Sequence, residues 1–105
     1  MKHIELFNEK QRVTAMGYYS AAHDYTFDDL TRYHALHNYN TLRLIALQNL
    51  LAAYKQHDPE ELVDNGEDIT WPVKTIMREI CDDILETKTN IIKIKAVIEY
   101  IEIRG

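Results

Sequence analysis

The sequence predicts an all-α fold: a small bundle of three to four helices that closes on a long C-terminal helix. Three observations carry this. Gly17, Gly66, Gly105, Pro59 and Pro72 are the only glycines and prolines in 105 residues, so few points interrupt a helix. Two long stretches repeat their apolar residues at alternating steps of three and four, the period of a helix with one buried face. Residues that start helices, carboxylates and prolines among them, stand in front of these stretches. An α+β alternative keeps a short strand pair formed by residues 3–7 and 91–103.

The first element covers roughly residues 4–22. Ile4, Leu6, Phe7, Val13, Met16, Tyr18, Tyr19, Ala21 and Ala22 fit a helix loosely, and Gly17 costs about 1 kcal/mol relative to alanine there. Ile4-Glu5-Leu6 also suits a short strand.

The second element is the clearest. Thr26 and Asp29 read as a capping box with Thr26 as N-cap, and Asp28 and Asp29 complement the positive end of the helix dipole. The stripe Leu30, Tyr33, His37, Asn40, Leu44, Leu47, Leu51, Tyr54 then runs without a slip, with His37 and Asn40 as polar layers. The helix is expected to end near His57.

Asp58, Pro59 and Glu61 follow as N-cap, first and third helical positions, predicting a short helix that stops at Asn65-Gly66. The last element begins near Thr70 with Pro72 in its first turn. Its stripe is Val73, Met77, Ile80, Ile84, Thr87, Ile91, Ile94, Ile98, Ile101, a heptad-like pattern. One helix over 71–103 is about 50 Å long. Either it projects and pairs with a second copy, or it breaks at Thr87-Lys88-Thr89-Asn90, where helix propensity dips. Ile92 to Ala96 alternates with period two, which is the basis of the strand alternative; the continuing heptad favours helix.

Length and composition describe one domain over residues 1–105. The chain is 46% hydrophobic and 28% charged, enough apolar surface to offset chain entropy. No apolar run approaches the 18 or so residues of a membrane span, and MKHIELFNEKQR lacks a signal-peptide core. Cys81 is the only cysteine, which suits a cytoplasmic home. The net charge of −5 is uneven: residues 1–57 carry six Lys/Arg and five Asp/Glu, residues 58–105 six and twelve. Asp58 to Asp68 holds six acids and no base. Direct nucleic-acid binding is not expected of this balance.

No catalytic constellation is complete. His34 and His37 share one side of a helix, but no HExxH or Cys/His framework supplies further ligands, and His37 reads as a hydrogen-bonded core histidine. Glu79, Asp82, Asp83 and Glu86 read as a solvated helix face. Asp64 to Asp68 lacks the order of a calcium loop. Cys81, beside the Ile80 and Ile84 stripe, reads as a small buried hydrophobe. No metal or cofactor is expected.

Arg32-x4-His37-x-Tyr39 resembles the R-x4-H-x-Y signature of the HEPN ribonucleases over eight residues, Arg32 to Tyr39. The resemblance implies a helical protein that cleaves RNA across a dimer with Arg32, His37 and Tyr39. The chain departs from the pattern in having Tyr33 where the family has a small polar residue, and in placing the motif early in the domain.

The compositional oddity is tyrosine. Five of seven fall between Tyr18 and Tyr39: Tyr18, Tyr19, Tyr25, Tyr33 and Tyr39. Tyrosine buries area while keeping a polar tip, which suits interfaces. These features together predict not an enzyme but an interaction module, a regulator or inhibitor of another protein of the antitoxin, immunity or phage-encoded type. Two surfaces are candidates. One is the tyrosine set. The other is the acidic set Asp58, Glu60, Glu61, Asp64, Glu67, Asp68, Glu79, Asp82, Asp83 and Glu86, which offers a nucleic-acid-like field to a nucleic-acid-handling partner. The 73–101 stripe, judged too long for the chain's other helices to cover, predicts a homodimer.

Overall fold

Helix α1, Glu9–Ala22, starts at a capping box that is plain in the sequence as Asn8-x-x-Gln11. The Asn8 side chain accepts from the Gln11 N–H at 2.8 Å, and the Gln11 side chain accepts from the Asn8 N–H at 3.0 Å. Two otherwise orphaned donors are thereby satisfied. The residues ahead of it do not join the helix. They run extended beside the C-terminal end of the second helix, where the Ile4 N–H donates to the Tyr54 hydroxyl at 2.9 Å.

Helix α2, Asp29–Tyr54, is capped by Asp28 and not by Thr26. The Asp28 carboxylate accepts from the Thr31 N–H at 2.8 Å. Thr26 is taken by the preceding turn, where its N–H and hydroxyl both donate to Asp24. The helix ends at Tyr54, and Gln56 and His57 continue only as tight turns onto Ala53 and Tyr54.

The predicted short helix after Pro59 is absent. Asp58 to Glu61 forms a single turn, and the chain then enters a hairpin, β1 Leu62–Asp64 against β2 Thr70–Pro72, antiparallel with Val63 opposite Trp71. The turn serves the next helix instead. Helix α3, Val73–Arg104, begins with Pro72 as N-cap and has no side-chain cap. Its first N–H groups donate to the turn carbonyls, Val73 to Glu61 at 2.9 Å and Lys74 to Pro59 at 3.0 Å. A helix end without a cap needs such partners. Gly66 at φ +83° and Asp68 at φ +59° close the hairpin loop in the left-handed region that glycine tolerates best.

Residues 91–103 lie inside α3, so the strand pair 3–7 with 91–103 does not form. The N-terminus pairs with β1 instead: Asp64 N–H donates to the Met1 carbonyl, and His3 N–H to the Asp64 carbonyl. Nor does α3 break at Thr87 to Asn90. Thr87 is fully buried, its hydroxyl donates to the Asp83 carbonyl at 2.7 Å, and it accepts from Arg43 of α2 at 2.9 Å. Tertiary packing overrides the local propensity dip.

The structure describes residues 1–105 as a computed structural model. α2 is the central helix, packing on both α1 and α3. The core gathers at the hairpin end, where Leu47, Tyr54, Val63, Val73 and Ile80 cluster over Met1, Ile4, Leu6 and Met77. The body measures 53 × 23 × 19 Å with a radius of gyration of 16.6 Å, against about 13 Å for a compact chain of this size. Such a thin rod leaves apolar surface outside.

Candidate interaction surface

The junction of α1 and α2 holds most of the aromatic set. The buried residues of α1 are small, Ala15 and Ala22, so the two helices approach closely and the larger side chains are pushed to the rim. On that rim a groove of about 180 Å³ is lined by Phe7, Arg12, Ala15, Met16, Tyr19 and Tyr39, among others. Tyr19 meets Tyr39 edge-on, with centroids 5.6 Å apart, and stacks on His23 at 4.2 Å. His23 is fixed in turn, its Nδ1 lying 2.9 Å from the Tyr19 carbonyl.

A second hollow continues along the same junction, lined by Ala22, His23, Tyr25, Arg32, Tyr33 and Leu36. Here the Arg32 guanidinium sits over the Tyr25 ring at 3.9 Å, and its Nε donates to the Ala22 carbonyl at the end of α1. Four of the five predicted tyrosines thus line hollows along the α1–α2 junction, Tyr19 with Tyr39 and Tyr25 with Tyr33. Tyr18 lies on the other flank of α1 and is half-buried.

Three residues of this surface were not among the expected site residues. Val13 and Met16, which the sequence reading counted only among the apolar residues of a loosely fitting helix, are 69% and 63% exposed. Phe7 lies ahead of α1 and lines the groove. The available signal was the loose fit of α1 to any single stripe: its apolar residues go round the helix and so cannot all reach one core.

The acidic residues form a second region at the hairpin end. Glu60 pairs with Lys74 and Glu61 with His57, each at 2.8 Å. Asp58 and Asp64 accept backbone N–H bonds from Glu60 and Gly66. Glu67 and Asp68 stand exposed on the loop, and Glu79, Asp82 and Glu86 follow on one flank of α3, while Asp83 is half-buried toward α2. None of these last six forms an ion pair. Trp71, on β2 beside this region, is partly exposed.

The remaining candidates are dispersed. Arg32 turns to α1, whereas His37 turns to α3 and borders a hollow with His34, Lys95, Ile98 and Glu99. The two therefore do not share a cleft within the chain. His37 was expected to be a hydrogen-bonded core residue, yet its Nε2 is buried without a partner. Cys81 is exposed and not the buried hydrophobe expected; it sits one step past Ile80 on the outward side of α3. No group of three or more His, Cys, Asp and Glu side chains is arranged to hold a metal ion, and no helix is long and apolar enough to cross a membrane.

The stripe from which a homodimer was expected is covered within the chain. Every residue of the stripe from Val73 to Ile101 is buried or half-buried within the chain, because α2 and the hairpin together run alongside it. That stripe leaves nothing for a second copy to cover.

No family model matches the chain, and no curated protein or solved structure matches it.

Proposed function

We propose that this chain is a protein-interaction module that regulates or inhibits a partner protein, and that it docks through the rim of α1 and α2. The observation that carries this reading is the row Val13, Met16 and Tyr19, exposed along one side of α1 beside a groove backed by Phe7 and Tyr39. Tyrosine and methionine are enriched at the centres of interfaces, where they fill pockets and shed water. The rings are also pre-positioned. Tyr19 is held by His23 and Tyr39, and Tyr25 by Arg32, so less side-chain freedom is lost on binding.

The test is partner capture with the native chain and with Tyr19→Ala and Met16→Asp. Removing a central aromatic anchor costs on the order of 2 kcal/mol, roughly thirtyfold in Kd. Both residues are exposed, so thermal stability is expected to hold within about 0.5 kcal/mol. Partner retained at native affinity by both variants contradicts the proposal.

A second reading rests on the six unpaired carboxylates that run from the hairpin loop onto α3. It has them occupy a basic groove of a nucleic-acid-handling protein in place of nucleic acid. Binding of that kind falls steeply with salt, whereas docking through the aromatic rim does not. The enzymatic alternative, an RNase of the HEPN type using Arg32 and His37, has weaker support because the two side chains engage different helices. RNA cleavage that disappears in His37→Ala, with the fold retained, is the result that favours it.

A further inference from the structure

The groove between α1 and α2 has two walls of regular period. On α1, Arg12, Met16, Tyr19 and His23 follow one another at steps of four, three and four. On α2, Arg32, Leu36 and Tyr39 follow at steps of four and three. Each set lies along one side of its helix, and each lines the hollows at the junction. The floor between the walls is low, because the side chains that α1 buries there are Ala15 and Ala22. The wall from Arg12 to His23 is about 16 Å long, three turns of helix. A trough of that length between two packed helices is shaped for a third helix laid along it.

Charge defines the occupant further. The chain carries 17 Asp and Glu against 12 Lys and Arg, yet no acid lines either hollow, whereas Arg12 and Arg32 do. The acids of the adjoining turn are already engaged. Asp29 pairs with Arg32 at 3.3 Å, and Asp24 and Asp28 accept from Thr26 and Thr31. Arg32 is engaged as well, through the Ala22 carbonyl, Asp29 and the Tyr25 ring. Arg12 is not. It is exposed and forms no ion pair, neither with Glu9 one turn away nor with any other acid. One uncompensated guanidinium thus stands at the end of an apolar trough, one turn from Met16 and two from Tyr19.

We infer that the occupant is an amphipathic helix of a partner protein whose inward face carries a carboxylate at one end and apolar residues one and two turns from it. The carboxylate pairs with Arg12, whose planar guanidinium offers it two parallel donors. The apolar residues pack between Met16, Tyr19 and Tyr39. This rests on the rim being the docking site and adds the chemistry of what docks there. A single charge pair leaves the binding mostly apolar, so added salt weakens it only modestly.

A display library of randomised peptides of about 16 residues, long enough to span the trough as a helix, tests it by selection on the native chain. The enriched peptides are expected to share a carboxylate with apolar residues one and two turns from it, and to gain helical circular dichroism on binding. For the tightest of them, fluorescence anisotropy is expected to show Arg12→Glu raising Kd about tenfold. A lysine in place of the peptide's carboxylate is expected to restore binding to the Arg12→Glu chain. Tyr19→Ala with Met16→Asp is expected to abolish binding of either peptide to its chain. Enriched peptides without the carboxylate, a Kd unmoved by Arg12→Glu, or a charge swap that restores nothing overturns this inference; loss of those peptides from the double variant then keeps the rim as the docking site. Peptides held equally by the double variant, or a selection that enriches none, overturn both.

Discussion

His37 shows how a single position divides structure from function in this chain. Its Nε2 is buried without a hydrogen-bond partner, and an unsatisfied buried polar atom costs on the order of 1 kcal/mol or more. His37→Leu is therefore expected to stabilise the fold by roughly that amount, read as a raised midpoint in urea. A loss of stability would mean that a partner for Nε2 exists. Asn8 is the opposite case, a polar residue that is fully used. Asn8→Ala is expected to cost about 1 kcal/mol, with α1 losing hydrogen-exchange protection first. Two carboxylates at the α1–α2 turn contribute to the acid limb. The Thr26 hydroxyl, with its N–H, holds the Asp24 carboxyl below its ordinary 3.8, and Thr31 does the same for Asp28. A carboxyl whose folded value is depressed contributes stability at pH well above 3.8, and that contribution is lost as pH falls through the folded value. In an acid titration, Asp24→Ala with Asp28→Ala is expected to be less stable at neutral pH and to lose less on descending below pH 4. An acid limb as steep as the native one contradicts this.

The elements were legible in the sequence in proportion to their length. α2 and α3 each bury a long row of regular period, and both rows, Leu30 to Tyr54 and Val73 to Ile101, are buried or half-buried as read. Two kinds of detail were not legible. At residues 58–65 the local signal of an N-cap followed by proline was correct for a turn, but too few residues follow to sustain a helix. The hairpin partner of Leu62–Asp64 lies across a loop, and pairing at a distance leaves no local period. Thr87 is the other case. Its propensity argued for a break, and only the contact from Arg43, 44 residues away, shows why the helix runs through. Tyr54 ties these parts together, being 2% exposed and accepting from Ile4. Tyr54→Phe keeps its volume and strands one backbone donor, so it is expected to cost about 1 kcal/mol and to free residues 1–6 to proteolysis. Tyr54→Ala is expected to cost about 3–5 kcal/mol.

On the scale of the whole molecule, the shape governs the rest. A rod 19–23 Å across is two helices thick, so α1 and α3 each have one side that no other element covers. The tyrosines were legible as interface material from their number, yet their division, four on the α1–α2 rim and Tyr18 apart, depended on which flank of α1 faces α2. The acidic bias was legible as a composition, and its gathering at the hairpin end follows because those residues are close in sequence.

The proposed docking site is the α1–α2 rim. The most direct measurement is capture of that partner from the cells of origin by the native chain and by Tyr19→Ala with Met16→Asp, at about 0.1 and about 0.5 M salt. The expected partner stays bound to the native chain at both salt levels and is lost from the double variant at both. A partner held equally by both chains and released by salt would contradict it, and would move the interface to the acidic end.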